Sequence, residues 1–242
     1  MSQLIEHILR IVGPAGLIHG DDVLSRSDGW PPVGGCRARA VVRPAGTGEV
    51  SAVLRLCHEA GQPVVTHGGL TGLVGGARTG PGDLALSMER MSGVSAVDTA
   101  NRSLIAEAGA PLQKVQEAAE DAGFLFPVDL GARGTATIGG NISTNAGGNS
   151  VIRYGMTREQ LLGVEAVLAD GTVISSMKDV IKNNTGYDLK QLFIGSEGTL
   201  GIVTRAVLRL RPLPRSRQTA LQFGVHFRQF TYRATQQTGP GK

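Results

Sequence analysis

Apolar residues in this chain repeat with helical spacing in some segments and form short β-branched runs in others. One helix face is predicted by apolar residues spaced i, i+3, i+4 and i+7, namely Val50, Val53, Leu54 and Cys57. Thr47 is expected to cap the start of this helix and Gly61 to end it. The β-branched run at residues 62–66 follows directly and predicts a buried strand.

The same two patterns continue along the chain. They predict strands at residues 84–87, 94–97 and 104–107, a hairpin at 162–168 and 172–175, and a long strand at 200–210. A helix between Pro111 and Gly123 is predicted, with Leu112, Val115 and Ala119 facing inward. Residues 1–10 predict a short amphipathic helix, and Pro212 and Pro214 are expected to close the last strand. The chain therefore predicts an α+β fold class.

Composition limits the class of protein further. The chain has 242 residues, of which 41% are hydrophobic, which is enough for one large domain or two small ones. Cys36 and Cys57 show neither metal-ligand spacing nor a disulfide framework, so the cytoplasm or another reducing interior compartment is expected. No apolar run reaches the length of a membrane span. Residues 1–10 lack the basic region and apolar core of a secretory signal.

The formal net charge of +4 would suit a nucleic-acid partner, but its distribution argues against one. Glu197 is the last acidic residue of the chain. Eight basic residues follow it: Arg205, Arg209, Arg211, Arg215, Arg217, Arg228, Arg233 and Lys242. The basic excess thus belongs to the C-terminal end. We expect no nucleic-acid partner, and we expect residues 215–242 to be a solvated, disordered tail.

Two glycine-rich segments carry the candidate chemistry. Residues 67–76 contain two Gly-Gly pairs, and residues 127–148 contain six of the chain's 35 glycines together with small polar side chains. Such a backbone bends sharply and brings N–H donors close to a ligand. Two segments of this kind indicate a long ligand held at two places, for which a dinucleotide is the natural candidate.

Other glycine motifs fit residues 67–76 poorly. A phosphate loop of the nucleotide hydrolases ends in Gly-Lys-Ser or Gly-Lys-Thr, which is absent here. The Rossmann fingerprint opens a helix, whereas residues 77–82 read Ala-Arg-Thr-Gly-Pro-Gly and cannot open a long one. A plain glycine-rich surface loop is the remaining alternative.

Four segments in order resemble the flavin-binding domain of the vanillyl-alcohol oxidase type, also called the p-cresol methylhydroxylase (PCMH) type. They are residues 68–76, 127–148, 183–190 and 191–202. The resemblance covers roughly residues 4–214 and is nearest to the D-2-hydroxy-acid dehydrogenases, which act on 2-hydroxyglutarate, lactate or glycolate. It implies two α+β subdomains with FAD between them, the first ending near residues 90–100. UDP-sugar reductases and molybdenum-hydroxylase flavin subunits share this fold type but are disfavoured by the long block at 184–201.

The resemblance also implies a set of residues that contact FAD. The loop around the pyrophosphate matches Gly68, Gly69, Leu70, Thr71 and Gly72, with Gly75 in the same glycine segment. The segment along the ribityl chain and isoalloxazine matches Leu130, Gly131, Thr135, Ile138, Gly139, Gly140, Asn141, Thr144, Asn145 and Gly147. A flanking strand edge matches Gly201, Ile202 and Val203. Asp188, Lys190 and Glu197 fit either a functional role or a salt-bridge and capping role.

In the resembled family, the residue after the first Gly-Gly pair determines whether the flavin is held covalently. Relatives with covalently bound flavin carry histidine there, whereas this chain has Leu70, so the resemblance implies noncovalent FAD. Near relatives usually have Asn or Gly at this position. His67 precedes the pair and is expected to anchor the loop through a hydrogen bond.

In the resembled family a substrate-capping domain follows, with basic substrate-binding residues and, in many members, metal-ligating histidines and a catalytic histidine. A hydride passes from the hydroxy-acid Cα to flavin N5. The resemblance is lost near Leu221. We therefore expect a truncated product or a frameshifted gene model, comprising an N-terminal helical segment (1–36), a PCMH-type FAD-binding domain (37–214) and an atypical basic tail (215–242).

The sequence indicates no catalytic residue and no metal ligand, and none of its five histidines is expected to be a general base. A small 2-hydroxy-acid substrate is expected only if a capping domain or a partner chain is supplied. A stand-alone FAD-binding subunit and an inactive remnant are the alternatives. The sequence indicates neither the electron acceptor nor the oligomeric state.

Overall fold

The computed structural model of the chain describes residues 2–30 and 34–216. The helices are α1 (Gln3–Val12), α2 (Thr47–Glu59), α3 (Leu112–Asp121), α4 (Ile138–Ser143), α5 (Val151–Tyr154) and α6 (Lys190–Phe193). The strands are β1 (Leu17–His19), β2 (Ala40–Val42), β3 (Val64–His67), β4 (Leu84–Ser87), β5 (Ser103–Glu107), β6 (Phe124–Leu125), β7 (Leu161–Val167), β8 (Val173–Ser176), β9 (Ile202–Arg209) and β10 (Arg211–Pro212). The mixture confirms the α+β class. From Arg217 onward, the predicted basic tail lies outside the described residues.

The first sheet has the strand order β1-β2-β4-β3. Strands β2, β4 and β3 run parallel, and β1 pairs with β2 antiparallel. Helix α2 forms the crossover from β2 to β3, two parallel strands that lie on either side of β4. Its buried face, Val50 to Cys57, packs in one apolar core with Ile8 of α1. The predicted helix face and N-terminal helix are thereby confirmed.

The second sheet is antiparallel, with the order β5-β9-β7-β8. The hairpin β7–β8 and the inward residues of α3 agree with the sequence-based predictions. Strand β9 is late in the chain but central in the sheet, because it pairs with both β5 and β7. Residues 88–102 separate the last strand of the first sheet from the first strand of the second.

The predicted cap of α2 is wrong. Gly46 occupies the N-cap position and Thr47 is the first helical residue. The Thr47 hydroxyl does not accept a helical N–H; it donates to Glu165 Oε1 of β7 at 2.6 Å. This partner is distant in sequence, so local pattern could not reveal it. Gly61 follows the helix with φ of 59°, as a terminating glycine should.

Two other local predictions differ from the structure. Residues 94–97 form no strand but only a bridge between Val94 and Ala106, because the Ser95 hydroxyl takes the Ile105 N–H at 2.9 Å. A side chain thus replaces the carbonyl that a longer ladder would use. Pro212 does not simply close the last strand, since it pairs with Phe124 in the short β10–β6 ladder. A proline is tolerated there because a two-residue ladder needs few N–H donors.

An acidic residue after β4 ties the N-terminal segment to the first sheet. Glu89 forms ion pairs with Arg26 and, at 3.0 Å, with Arg43. Burial alone would raise the pKa of Glu89, but the hydrogen bonds and charges of these two arginines outweigh it and hold the pKa below its ordinary value of 4.5.

We expect Glu89→Gln to lower the melting temperature at neutral pH and to lose this effect in acid. Because the pKa of Glu89 is depressed in the folded state, its stabilisation is present above the unfolded value and is lost as pH falls through the folded value. Thermal melts of both proteins from pH 7 downward test this. Curves that stay equally separated at every pH would contradict it.

Candidate functional site

A cleft of about 540 Å³ lies between the two sheets. Its walls come from the loop after β3, from helix α4, and from the start of β9 with the loop before it. Both predicted glycine-rich segments therefore meet at one place. The volume is typical of small-molecule sites.

The first wall is the loop of residues 68–76. Its two ends are tied by His67, whose buried Nε2 lies 2.8 Å from Ala77 O. Burial lowers the pKa of His67, because the imidazolium would lose its hydration, although the bond to Ala77 and the nearby Asp28 carboxylate oppose this. A neutral ring can donate to Ala77 O, so the predicted anchoring role is confirmed.

Close packing joins this loop to the second glycine-rich segment. A Cβ placed on Gly69 would lie 1.9 Å from Thr135 O, and one on Gly68 would lie 2.7 Å from Thr137 Oγ1. A side chain at Gly69 would therefore overlap backbone. Glycine is required here for contact between the two segments.

The second wall is α4, which carries an unsatisfied polar group. Asn141 is buried and lines the cleft. Its Nδ2 has no hydrogen-bond partner among the residues that the structure describes. A buried donor without an acceptor costs roughly 1–3 kcal/mol. The cleft thus fits a ligand that brings an acceptor to this amide.

The third wall is the segment before β9, and it is fastened to the end of α4. Gly195 N–H donates to Ile142 O at 3.1 Å, and Glu197 N–H donates to Ser143 O at 2.8 Å. The Arg158 guanidinium donates to the carbonyl of Ile194 at 2.7 Å. Glu197 is held with φ of 52°, a left-handed conformation that is uncommon outside glycine.

Two carboxylates line the cleft, those of Asp28 and Glu197. No lysine, arginine or histidine is present among the described residues that line it. A phosphate bound here must therefore be stabilised by backbone N–H groups and hydroxyls rather than by side-chain cations. The glycine loop is suited to that task.

The sequence matches the family described as FAD binding domain over residues 38–176. The chain belongs to this FAD-binding family. D-2-hydroxyglutarate dehydrogenase, mitochondrial, of Bos taurus is 46% identical over 177 residues, covering 73% of this chain and 32% of the relative. D-2-hydroxyglutarate dehydrogenase of Xanthomonas citri pv. viticola is 45% identical over 202 residues, covering 83% of this chain and 41% of the relative.

Solved structures agree on the fold. An alkyldihydroxyacetonephosphate synthase structure superposes with a TM-score of 0.78 at 20% identity, covering 88% of this chain and 41% of that one. The PCMH-type fold is thereby confirmed, and FAD is the cofactor of the domain. The chain spans 32% to 48% of the length of the curated relatives that it matches.

Most residues that were predicted to contact FAD line the cleft: Gly68, Gly69, Leu70, Thr71, Gly72, Gly75, Leu130, Gly139, Gly140, Asn141, Thr144, Ile202 and Val203. The others are not among its lining residues: Gly131, Thr135, Ile138, Asn145, Gly147 and Gly201. Contact of either set with FAD stays a prediction.

Four of the six residues outside the cleft wall have structural partners. The side chain of Ile138 is buried in the apolar core. The Asn145 carbonyl oxygen accepts the Arg158 N–H at 3.1 Å. A Cβ on Gly147 would lie 2.8 Å from Val151, and one on Gly201 would lie 2.9 Å from Phe193. These contacts give each of the four residues a structural role.

Several lining residues lie outside the set predicted to contact FAD, among them Asp28, Met88, Thr137, Ser143 and Glu197. The last three lie inside the quoted motifs, so the motifs did carry a signal for them. Asp28 and Met88 come from distant segments with no motif. In the long block, Lys190 pairs with Asp188 at 2.6 Å, which fits the salt-bridge alternative for those two residues.

The donor set of the cleft fits FAD. The loop after β3 offers backbone N–H groups to a pyrophosphate, the Asn141 amide lacks an acceptor, and Thr71 and Thr144 add hydroxyls. The residue after the first Gly-Gly pair is Leu70, which lines the cleft in place of the histidine that holds flavin covalently in some relatives. Noncovalent binding of FAD stays a prediction.

Leu70 has φ of 56°, which is strained for a leucine. We expect Leu70→Asn to raise the melting temperature by about 2–4 °C, since asparagine tolerates the left-handed conformation and about 1 kcal/mol of strain is relieved. FAD affinity should be kept or improved. Scanning calorimetry and flavin titration measure both. Leu73→Asn, in the same loop without positive φ, is the matched control and should not stabilise.

Proposed function

We propose that this chain is the FAD-binding part of a dehydrogenase that oxidises a D-2-hydroxy acid of the 2-hydroxyglutarate, lactate or glycolate class. The observation that carries the proposal is 45% identity to the D-2-hydroxyglutarate dehydrogenase of Xanthomonas citri pv. viticola across the segments that build the cleft. Bound FAD would be the immediate electron acceptor, because its N5 would take a hydride from the substrate Cα.

The residues of this chain hold and orient the cofactor. Gly68 to Gly72 would present N–H groups to the pyrophosphate, and Ile202 and Val203 would present a strand edge on another wall of the cleft. The Asn141 amide would donate to an acceptor of the bound molecule. Together these groups would hold the cofactor in the cleft.

Substrate oxidation also needs a cation for the substrate carboxylate and a base for its hydroxyl proton. No lysine, arginine or histidine side chain is found on the cleft wall within residues 2–30 and 34–216. We infer that the cation comes from another polypeptide region, so that the chain alone is incomplete for catalysis.

A visible absorption spectrum before and after acid precipitation is the first test. We expect a flavin spectrum whose chromophore is released by acid, and bleaching by dithionite but not by D-2-hydroxyglutarate. A colourless, folded chain that takes up no added FAD would contradict the flavoenzyme proposal. Rapid bleaching by the hydroxy acid would contradict incompleteness.

The substrate class is tested by a second experiment, on a chimeric protein. Residues 215–242 are replaced by the part of the Xanthomonas citri pv. viticola relative that follows its matched segment. We expect anaerobic bleaching of this chimera by D-2-hydroxyglutarate, D-lactate or glycolate, and not by the L enantiomers of the chiral acids. A folded chimera that binds FAD but is bleached by no hydroxy acid would contradict the substrate class and leave FAD binding standing.

A non-catalytic FAD-binding subunit, or an inactive remnant, is the alternative. It is favoured by a run of exposed apolar side chains at residues 180–192, including Ile181, Tyr187 and Leu192, with Tyr187 96% exposed. Such a run is typical of a surface that another polypeptide covers. Flavin that binds but stays oxidised in the chimera would favour this reading.

We propose a reducing interior compartment. Cys36 and Cys57 are free thiols in the core, and burial raises the pKa of Cys57 to about 11, so that it stays protonated. Among the described helices, none has the length and apolarity to cross a membrane. The same part of the chain holds no cluster of three or more His, Cys, Asp or Glu residues suited to a metal ion.

A further inference from the structure

One carboxylate oxygen joins the two halves of the molecule, the first built around the sheet β1-β2-β4-β3 and the second around the sheet β5-β9-β7-β8. Thr47 Oγ1 of α2 donates to Glu165 Oε1 at 2.6 Å, and Thr204 Oγ1 of β9 donates to the same oxygen at 3.1 Å. Helix α2 connects two strands of the first sheet, whereas Glu165 and Thr204 lie on strands of the second sheet. We call Thr47, Glu165 and Thr204 the Glu165 cluster.

A bulge in β9 brings Thr204 to this position. The register between β7 and β9 passes from Glu165–Arg205 to Ala166–Val203, which leaves Thr204 without a direct partner on β7. A bulge redirects a side chain out of the regular alternation. Thr204 is fully buried and follows directly after Ile202 and Val203, which line the cleft. The strand edge of the cleft and the Glu165 cluster are therefore fixed by consecutive residues.

A second contact holds the same face of α2. Ser51, one turn after Thr47, donates its hydroxyl to Gly171 O in the β7–β8 turn at 2.5 Å. A Cβ on Gly171 would lie 2.6 Å from Ser51 O, so the turn packs tightly on the helix. Residues four apart share one helix face. This face therefore sets the position of α2 on the second sheet.

Helix α2 leads directly into β3 and from there into the glycine loop of the cleft. We propose that Glu165 is a positioning residue for FAD, because its cluster sets the spacing between the glycine loop and the start of β9 before the cofactor binds. A cofactor that contacts both walls binds more tightly when their spacing is preset. The inference rests on FAD binding by the domain and is independent of the substrate class.

Removal of either hydroxyl tests the inference. We expect Thr47→Val and Thr204→Val each to raise the FAD dissociation constant about tenfold, mainly through faster dissociation, because a hydrogen bond to a charged acceptor is lost. Thr47→Ser keeps the hydroxyl and should bind FAD like the unaltered chain. Thr99→Val, at an exposed threonine in a turn, is the matched control. Flavin fluorescence quenching and stopped-flow dissociation are the measurements.

A direct readout of spacing separates positioning from simple stabilisation. Spin labels at Glu59→Cys of α2 and Glu120→Cys of α3 report the distance between the halves, since Cys36 and Cys57 are buried. We expect a broader distance distribution in cofactor-free Thr47→Val and a narrow one once FAD binds. The double variant Thr47→Val/Thr204→Val should lose less than the product of the single effects, since both hydroxyls share one acceptor.

Several outcomes would overturn the inference. Unchanged FAD dissociation in both valine variants would do so, as would a lower melting temperature with unchanged affinity and an unchanged distance distribution. Equal losses in Thr47→Ser and Thr47→Val would show that the hydroxyl is not responsible. If a valine variant does not fold, Glu165→Gln decides, because it keeps the acceptor oxygen without its charge. We expect FAD affinity to fall about threefold with this weaker acceptor. An unchanged affinity would contradict the inference.

Discussion

Replacement of Asn141 by leucine is expected to change two properties in opposite directions. FAD binding should weaken by roughly 10–100-fold, because the amide that donates to the cofactor is lost. The cofactor-free protein should become more stable, because the buried Nδ2 that lacks a partner is removed. Opposite signs are the result expected for a buried polar group that is kept unpaired until a ligand binds.

Flavin titration and chemical unfolding of the cofactor-free chain measure the two effects of Asn141→Leu. The matched control is Asn101→Leu, which makes the same chemical change at an exposed asparagine bonded to Asp98 and Asp179. The control should bind FAD normally. Reduced stability of cofactor-free Asn141→Leu, with unaltered affinity, would show that Asn141 is a structural residue only.

Gly69→Ala is expected to abolish measurable FAD uptake, a loss of at least about a hundredfold. The added Cβ would lie 1.9 Å from Thr135 O and 2.9 Å from Ala136 Cα, both of them backbone atoms. The two glycine-rich segments would have to move apart, and overpacking of this kind costs roughly 1–3 kcal/mol or more. The same displacement would widen the cleft that both segments line.

The control for Gly69→Ala is Gly82→Ala, at an exposed glycine where a Cβ meets nothing within 4 Å. Circular dichroism establishes that each variant is folded before FAD is added. Normal flavin uptake by folded Gly69→Ala would mean that the contact with Thr135 is not needed for the cleft. Normal uptake by Gly82→Ala is expected.

Much of the fold could be predicted because neighbouring residues determine it. The inward face of α3 follows from the spacing of Leu112, Val115 and Ala119, and all three are buried. The local predictions that were wrong concern residues whose hydrogen-bond partners cannot be recognised from the local pattern. Thr47 was assigned as a cap, but its hydroxyl binds Glu165, 118 residues later. At Ser95 the backbone pattern resembled a strand, and the side chain took the hydrogen bond instead.

The site could be predicted as far as its motifs extend. The glycine loop, α4 and the start of β9 were all located from motif residues, and they do form one cleft. Within a motif, however, inward and outward residues look alike. Asn141 lines the cleft, while Asn145 turns its carbonyl oxygen to the Arg158 N–H. The position of Asp28 in the cleft could not be predicted from the sequence, because only the tertiary fold brings its segment there.

The central place of β9 in the second sheet bears on how the protein is made. Until Arg209 leaves the ribosome, β5 and β7 have no strand between them, and both keep unpaired edges. The third wall of the cleft and Thr204 arrive with that same strand. We therefore expect the nascent chain to take up FAD only after β9 has joined the sheet. A chain cut after residue 176, where the matched FAD-binding region ends, would keep the glycine loops and still lack the strand that makes them a site.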